Sequence, residues 1–408
     1  MAVPQTKVYI AFDLSAQGGN FFTLNDTTKG LLNSTYVLGG NILTDVTNYV
    51  ASVSINRGKS RELDRYTAGS LNVVLHNDSR IFDPFNTTSI YYGNIVPRKQ
   101  IVIETNGNRI FTGYIDDWDF SYDLSGKSYA SVSALDGFML LAAAELNVSS
   151  NSVELSSTRI NTILSKPEVA WPIANRSIQT GLTTLQNDII PENENALGYL
   201  QLVETSENGM LFINRSGAIT FKNRVTVPSA TEITFADDST AGGIKYTNIG
   251  VIYGSENFYN RVSVQRLNGT SQTSDSVASQ TLYGISALNI SGVLMQSDAE
   301  ALLLAQYLVG LYDQPELRIN EVTVNLHDKT SDEVAKLVQA EIGDTLKIRF
   351  TPNKVGSVIS QNAIIIGIQH RVGIDQHEVT YYFASIAFYP FILNNSTYGL
   401  LDTGVLAY

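Results

Sequence analysis

Residues 57–97 read RGKSRELDRYTAGSLNVVLHNDSRIFDPFNTTSIYYGNIVP. A charged turn comes first, with Arg57, Lys59, Arg61, Glu62, Asp64 and Arg65 crowded between positions 57 and 65. Residues 71–76 then alternate, the period of a strand with one buried face. A loop follows, punctuated by Asp83-Pro84 and Tyr91-Tyr92-Gly93, residue types that fix turn geometry. Nothing in the stretch has catalytic spacing. It reads as a strand and its loop in a β-rich protein.

The flanking sequence agrees. Residues 48–55 alternate as a half-buried strand does. Ile101-Val102-Ile103 and Ile110-Phe111-Thr112 flank Asn106-Gly107, the pair favoured where a tight hairpin needs positive φ. Residues 118–122 and 129–133 bracket Ser125-Gly126. The first part of the chain is therefore expected to be a mostly antiparallel sheet curled into a barrel or sandwich.

Beyond it the pattern changes. Residues 136–146 (DGFMLLAAAEL) and 157–164 predict helices, the second with Ser157 as N-cap. Residues 195–206 predict a third, apolar at Leu197, Leu200 and Val203 and stopped by Gly209. A hairpin around Ser216-Gly217 follows. Strands return at 261–266, 319–326, 345–350, 363–368 and 378–383. Two capping boxes, Ser297 with Glu300 and Thr330 with Glu333, open helices between them. The expected organisation is mainly β with an α+β insertion. It comprises an N-terminal β-barrel over 1–146, an α+β domain over 147–235, a second barrel-like domain with helices over 236–390, and a tail over 391–408.

Composition narrows the function. Charged residues make up only 16% and the net charge is −12. Nucleic-acid recognition needs a clustered basic face, and the basic residues of the 57–65 turn are offset by Glu62 and Asp64. Sequence-specific DNA binding is not expected, while an acidic wall suits a conduit to which DNA does not stick. Without cysteines there are no disulfides, thiolate metal sites or cysteine nucleophiles. No apolar run approaches a membrane span, and residues 1–19 lack the apolar core of a signal peptide.

Asp116, Asp117, Asp119 and Asp123 crowd one hairpin, but lack the glycine and closing glutamate of a calcium loop; a solvated acidic strand face is the expectation. His76, His327, His370 and His377 lack metal-site spacing, although His370 and His377 can face each other across a hairpin. Glu204 and Glu207 share a helix face and are expected at its surface. Neither G-x-S-x-G nor a phosphate loop is present. Neither cofactor nor metal is expected. Arg57, Arg61, Glu62, Asp64 and Arg65 suit the polar rim of a subunit interface. Tyr91 and Tyr92 suit its aromatic anchors, as does the run Tyr381-Tyr382-Phe383.

A series of segments in order resembles the minor tail proteins of long-tailed bacteriophages, the group that forms the tail-tip or baseplate hub. The series begins with Asp45-Val46-Thr47, Arg57-Gly58, Glu62-Leu63-Asp64-Arg65-Tyr66, Asn77-Asp78 with Arg80-Ile81-Phe82-Asp83-Pro84, and Phe111-Thr112-Gly113-Tyr114-Ile115. It continues through Ala134-Leu135-Asp136, 205–217, Tyr259-Asn260-Arg261-Val262, Ile342-Gly343-Asp344, Thr351-Pro352-Asn353 and Ile368-Gln369-His370, and ends in 393–406. The resemblance implies a non-enzymatic structural hub: a homotrimer with two tail-tube-like β-barrels per chain. Its implied partners are a distal-tail or tail-tube protein, the tape-measure protein, and receptor-binding or fibre proteins. A fibre-like or enzymatic extension is expected to come from another protein. Two rival readings stand beside it: a cell-wall hydrolase using carboxylates such as Glu204 or Asp117, and a carbohydrate-binding virion protein.

Overall fold

Strands dominate the computed structural model of the chain, which describes residues 4–12, 43–225, 233–238, 242–255 and 257–385. The expected tail over 391–408, its 393–406 signature and most of the turns expected before residue 43 lie outside the described residues. Thirteen strands belong to one large sheet. Its N-terminal members are β1 (Thr6–Ile10), β2 (Thr44–Asp45), β3 (Val50–Gly58), β4 (Ser70–His76), β5 (Gln100–Thr105), β6 (Asn108–Tyr122) and β7 (Ser128–Leu135). Its C-terminal members are β8 (Ile233–Ala236), β9 (Asn248–Tyr253), β10 (Leu317–Asn325), β11 (Thr345–Phe350), β12 (Ile359–Val372) and β13 (His377–Ser385). The order is β9-β10-β13-β12-β3-β4-β7-β6-β5-β1-β2, with β11 on β12 and β8 on β11. Every pairing is antiparallel except β8 with β11.

Alternation explains the layering. Leu71, Val73 and Leu75 on β4 are buried while Asn72 and His76 are exposed. The Asn106-Gly107 turn forms as its sequence dictates, with φ of 49° and 76°, and joins β5 to β6.

The two groups of strands, expected as separate barrels, meet in one ladder. Residues 359–364 of β12 pair with β11, and residues 367–372 pair with residues 53–58 of β3. The opposite edge of β12 carries β13. Gly58 and Gly367 are paired where the two groups join. Gly58 has φ +80°, and a Cβ there would drive into the Ile366 carbonyl oxygen; a Cβ on Gly367 would meet the Lys59 carbonyl.

The N-terminal strands curl until β1 returns toward β3. The β2–β3 connection holds β1 there: Val46 N–H donates to the Val8 carbonyl at 2.9 Å and Val8 N–H to Thr47 Oγ1 at 3.0 Å. Among the described residues no ladder joins β1 to β3.

Between the strand groups lie short ladders and helices. The helix expected over 136–146 shrinks to α1 (Phe138–Ala142). Glu145–Leu146 instead pairs with Glu194–Asn195, and Ala196 N–H reaches the Ala144 carbonyl at 3.0 Å, so tertiary pairing overrides a good helical sequence. Helix α2 (Ser156–Ser165) begins one residue before the expected cap. Its Ser156 hydroxyl donates to Glu207 instead of capping. Helix α3 (Ala196–Glu207) is capped by Asn195, whose Oδ1 accepts from Gly198 N–H at 2.9 Å. It ends on Asn208 in the left-handed conformation rather than on Gly209; Asn tolerates that region. Asn195→Ala is expected to lower stability by about 1 kcal/mol, read from the urea midpoint, and an unchanged midpoint would mean the cap is replaced by solvent.

A second core stands apart. Arg261–Arg266 lies between Gln272–Asp275 and Ala287–Val293, followed outward by α4 (Val277–Tyr283) and α5 (Asp298–Tyr312). Val262 and Val264 pack against Leu304 and Leu308 of α5, each such burial contributing about 1.5–3 kcal/mol. Both capping boxes form, at the starts of α5 and α6 (Ser331–Gln339).

Candidate interface site

The connection from β3 to β4 carries the charged residues singled out in the sequence, and the fold separates them. Arg57, the penultimate residue of β3, is buried, at 5% exposed. Its guanidinium pairs with Glu341 and donates to the Ile213 carbonyl at 3.3 Å. The same carboxylate accepts the N–H groups of Arg215 and Ile342, each at 2.9 Å. Arg57 thus ties the sheet junction to the hairpin after α3 and the loop before β11.

Glu62 is also committed within the chain. It accepts from Tyr312 Oη at 3.0 Å, Arg318 Nη1 at 3.1 Å and Asn257 Nδ2 at 3.3 Å. Burial pushes its carboxyl above the ordinary range, against the pull of Arg318. Ser60, Arg61, Glu62, Asn257, Glu316 and Arg318 line a cavity of about 260 Å³. Arg61, Asp64 and Arg65 are exposed beside it, so the rim-like part of the predicted set is these three residues. Sequence reading missed Tyr312, Arg318 and Asn257, which lie about 200 positions or more downstream; no local pattern announces partners at that range.

Behind the loop is a buried polar cluster. Lys59 Nζ sits 4.7 Å from the centre of the Tyr66 ring and donates to the Asp64 carbonyl at 2.9 Å. Burial lowers the Lys59 ammonium below its ordinary range and raises Glu204 to about 7, each opposed by the other's charge. Asp136, under the same junction, is likewise raised to about 7 by burial although it accepts the N–H groups of Gly69 and Phe138.

Glu204 and Glu207 are not surface residues. Glu204 is 7% exposed and accepts from Leu211 N–H at 3.2 Å. Glu207 is fully buried and accepts from Ser156 Oγ at 2.8 Å and Thr183 N–H at 2.7 Å. The helix end is covered by the chain around Thr183 and by the strand after Gly209, which the helical period alone does not reveal. Asp116, Asp117, Asp119 and Asp123 are all exposed, as a solvated face requires. Asp116 falls in a bulge between Ile115 and Asp117. Among the described residues no cluster of three His, Asp or Glu can hold a metal.

The 77–97 loop is fixed from within. Asn77 Oδ1 accepts from Phe82 N–H at 2.9 Å, and the Arg80 guanidinium clamps Asp83 at 2.6 Å. Tyr91 is buried, its ring stacked on Phe12 at 4.2 Å and Phe82 at 5.5 Å. Tyr92 is half-exposed, and Phe85 (85% exposed) and Ile90 stand out with it. Of the predicted aromatic pair, Tyr91 is a core residue and Tyr92 a surface one. Tyr381 and Phe383 are likewise core, Tyr381 Oη donating to the Leu337 carbonyl at 2.7 Å.

No family model matches the chain, and no curated protein does. Solved structures do. A tail protein from Neisseria meningitidis MC58 is 11% identical, with a TM-score of 0.60 over 93% of this chain and 96% of that one. The 43 kDa tail protein of prophage MuSo2 from Shewanella oneidensis is 13% identical, with a TM-score of 0.57 over 85% of this chain and 94% of that one. A chain of a PdpA–VgrG complex is 10% identical, with a TM-score of 0.51 over 94% of this chain and 66% of that one. The chain therefore has the fold of solved phage tail proteins, the group its sequence resembles.

Proposed function

We propose that this protein is the structural hub of a phage tail tip, joining the tail tube or distal-tail ring to receptor-binding components and gating the channel for DNA and tape-measure passage. The observation that carries the reading is the agreement of fold with two tail proteins along nearly the whole of all three chains. In this reading each of the linked strand groups on either side of β3–β12 serves as one tube-like barrel. Three copies then present six barrels to a hexameric ring, an arrangement that closes instead of growing into a filament. The acidic composition suits a channel wall. Exposed Arg61, Asp64, Arg65 and Tyr92 are the residues assigned to the contacts between copies.

Of the carboxylates named for the hydrolase reading, Glu204 is engaged inside the fold, while Asp117 is exposed on its strand face. The test is the solution mass of the purified chain by light scattering, followed by particle imaging. A trimeric ring, or a monomer that trimerises with a tube or distal-tail protein, is the expected result. A monomer that never assembles with tail partners overturns the reading.

A further inference from the structure

We propose that the His370–His377 pair is an acid-release latch across the seam of the N-terminal curl. His370 lies on β12 and His377 opens β13. Nδ1 of His370 is 3.1 Å from Nε2 of His377, and the residues are 3% and 0% exposed. Nδ1 of His377 is 3.4 Å from Thr6 Oγ1 on β1, which is 3.0 Å from Thr105 Oγ1 on β5. Strands β1 and β13 are far apart in the sheet order, so this chain of polar contacts spans the seam. The sequence showed that the two histidines can face each other; it placed them at a hairpin surface, where the return of β1 instead covers them.

Two facing ring nitrogens share one proton, one donating and one accepting. With both rings neutral each of these three contacts can be a hydrogen bond. An added proton creates a cation that, among the described residues, no carboxylate is placed to answer. The groups acting on the rings are Arg57 from β3, whose charge is matched by Glu341, and half-buried His327 from the turn after β10. No carboxylate is among them. Burial, with these neighbours, holds His370 well below the ordinary imidazole range and lowers His377 to about 4.

A cavity of about 170 Å³, lined by Pro4, Thr6, Thr47, His327, Val372 and Ile374 among others, borders the Thr6 end. It is roomy enough for water and reaches Thr6, the residue that meets His377 Nδ1. On acidification the cation is relieved by solvation as the seam opens. Opening frays β1 from β5 and the start of β13 from β12, so that the amides of these two ends exchange.

The sign follows from the depressed values. The neutral pair stabilises the closed seam fully above the open-state value of about 6.5, and that contribution is lost as pH falls through the closed-state value. A fall from about 6.5 to about 4 for His377 corresponds to on the order of 300-fold in the opening equilibrium.

Hydrogen exchange of the full chain, followed by mass spectrometry and corrected for intrinsic rates, tests this. Between about pH 7 and pH 4.5, protection in residues 6–10 and 372–380 is expected to fall about 100-fold or more while β4 and β7 keep theirs. His377→Gln, which keeps a hydrogen-bonding tip but does not titrate, is expected to weaken that pH dependence, and His370→Gln with His377→Gln to remove it. Equal profiles for the wild type and the double variant overturn the latch, and so does loss of protection everywhere at once. Should the variant not fold, a proton NMR titration of the wild type decides: both buried imidazoles titrating near about 6.5 with protection intact also overturns it.

Discussion

Arg159→Leu loses about 3–5 kcal/mol of stability, the expected cost of removing one partner from a buried ion cluster. Arg159 is fully buried on α2. Its guanidinium donates to Glu154 Oε1 at 2.5 Å, Asp188 Oδ1 at 2.8 Å, Tyr199 Oη at 2.7 Å and the Ser152 carbonyl at 2.7 Å. Asp188 also accepts from Tyr199 Oη at 2.8 Å and Asn151 Nδ2 at 2.9 Å. The cluster thus ties α2, α3 and two short ladders around one cation. Leucine fills much of the volume but leaves the Asp188 carboxylate buried with neutral donors only. Urea unfolding reads the loss as a lower midpoint at unchanged slope. Asp188→Asn in the same chain is expected to restore part of it, because the stranded charge is then gone. A loss below about 1 kcal/mol would show that water reaches Asp188 in the variant.

Much of the sheet was legible because its signals are local. The Asn106-Gly107 turn, the alternation on β4 and the two capping boxes each depend on residues within one turn or one strand. What was not legible depends on distant pairing. The 136–146 segment has good helix formers, and only its pairing with Glu194–Asn195 cuts the helix short. Glu204 and Glu207 read as surface carboxylates, because a helical face does not reveal what packs on it from Thr183 or Leu211. The candidate interface was half legible. The 57–65 charges do lie together on the β3–β4 connection, but Arg57 and Glu62 are bound by Glu341 and Arg318, far along the chain. Their inward pairing separates them from Arg61, Asp64 and Arg65, which the same composition made look equivalent.

Gly58→Ala is expected to cost about 2–5 kcal/mol, combining the strain of positive φ with overpacking. Gly58 closes β3 at the point where the two strand groups share β12. Its φ of +80° already disfavours a side chain, and the added methyl would collide with the Ile366 backbone and lie 2.8 Å from Ile342 Cδ1. Backbone cannot step aside as a flexible side chain can, so relief requires β3 and β12 to part. Gly107→Ala separates the two causes. Gly107 has a similar φ of +76° but nothing within 4 Å of the added methyl, so it is expected to cost about 1 kcal/mol. The difference between the variants measures the close approach at the junction. Equal costs would mean that β3 and β12 cross more loosely than this geometry requires. If the large cost is found, loss of protection at residues 53–58 and 367–372 ahead of the rest of the sheet would place the weak point in the ladder that joins the two halves.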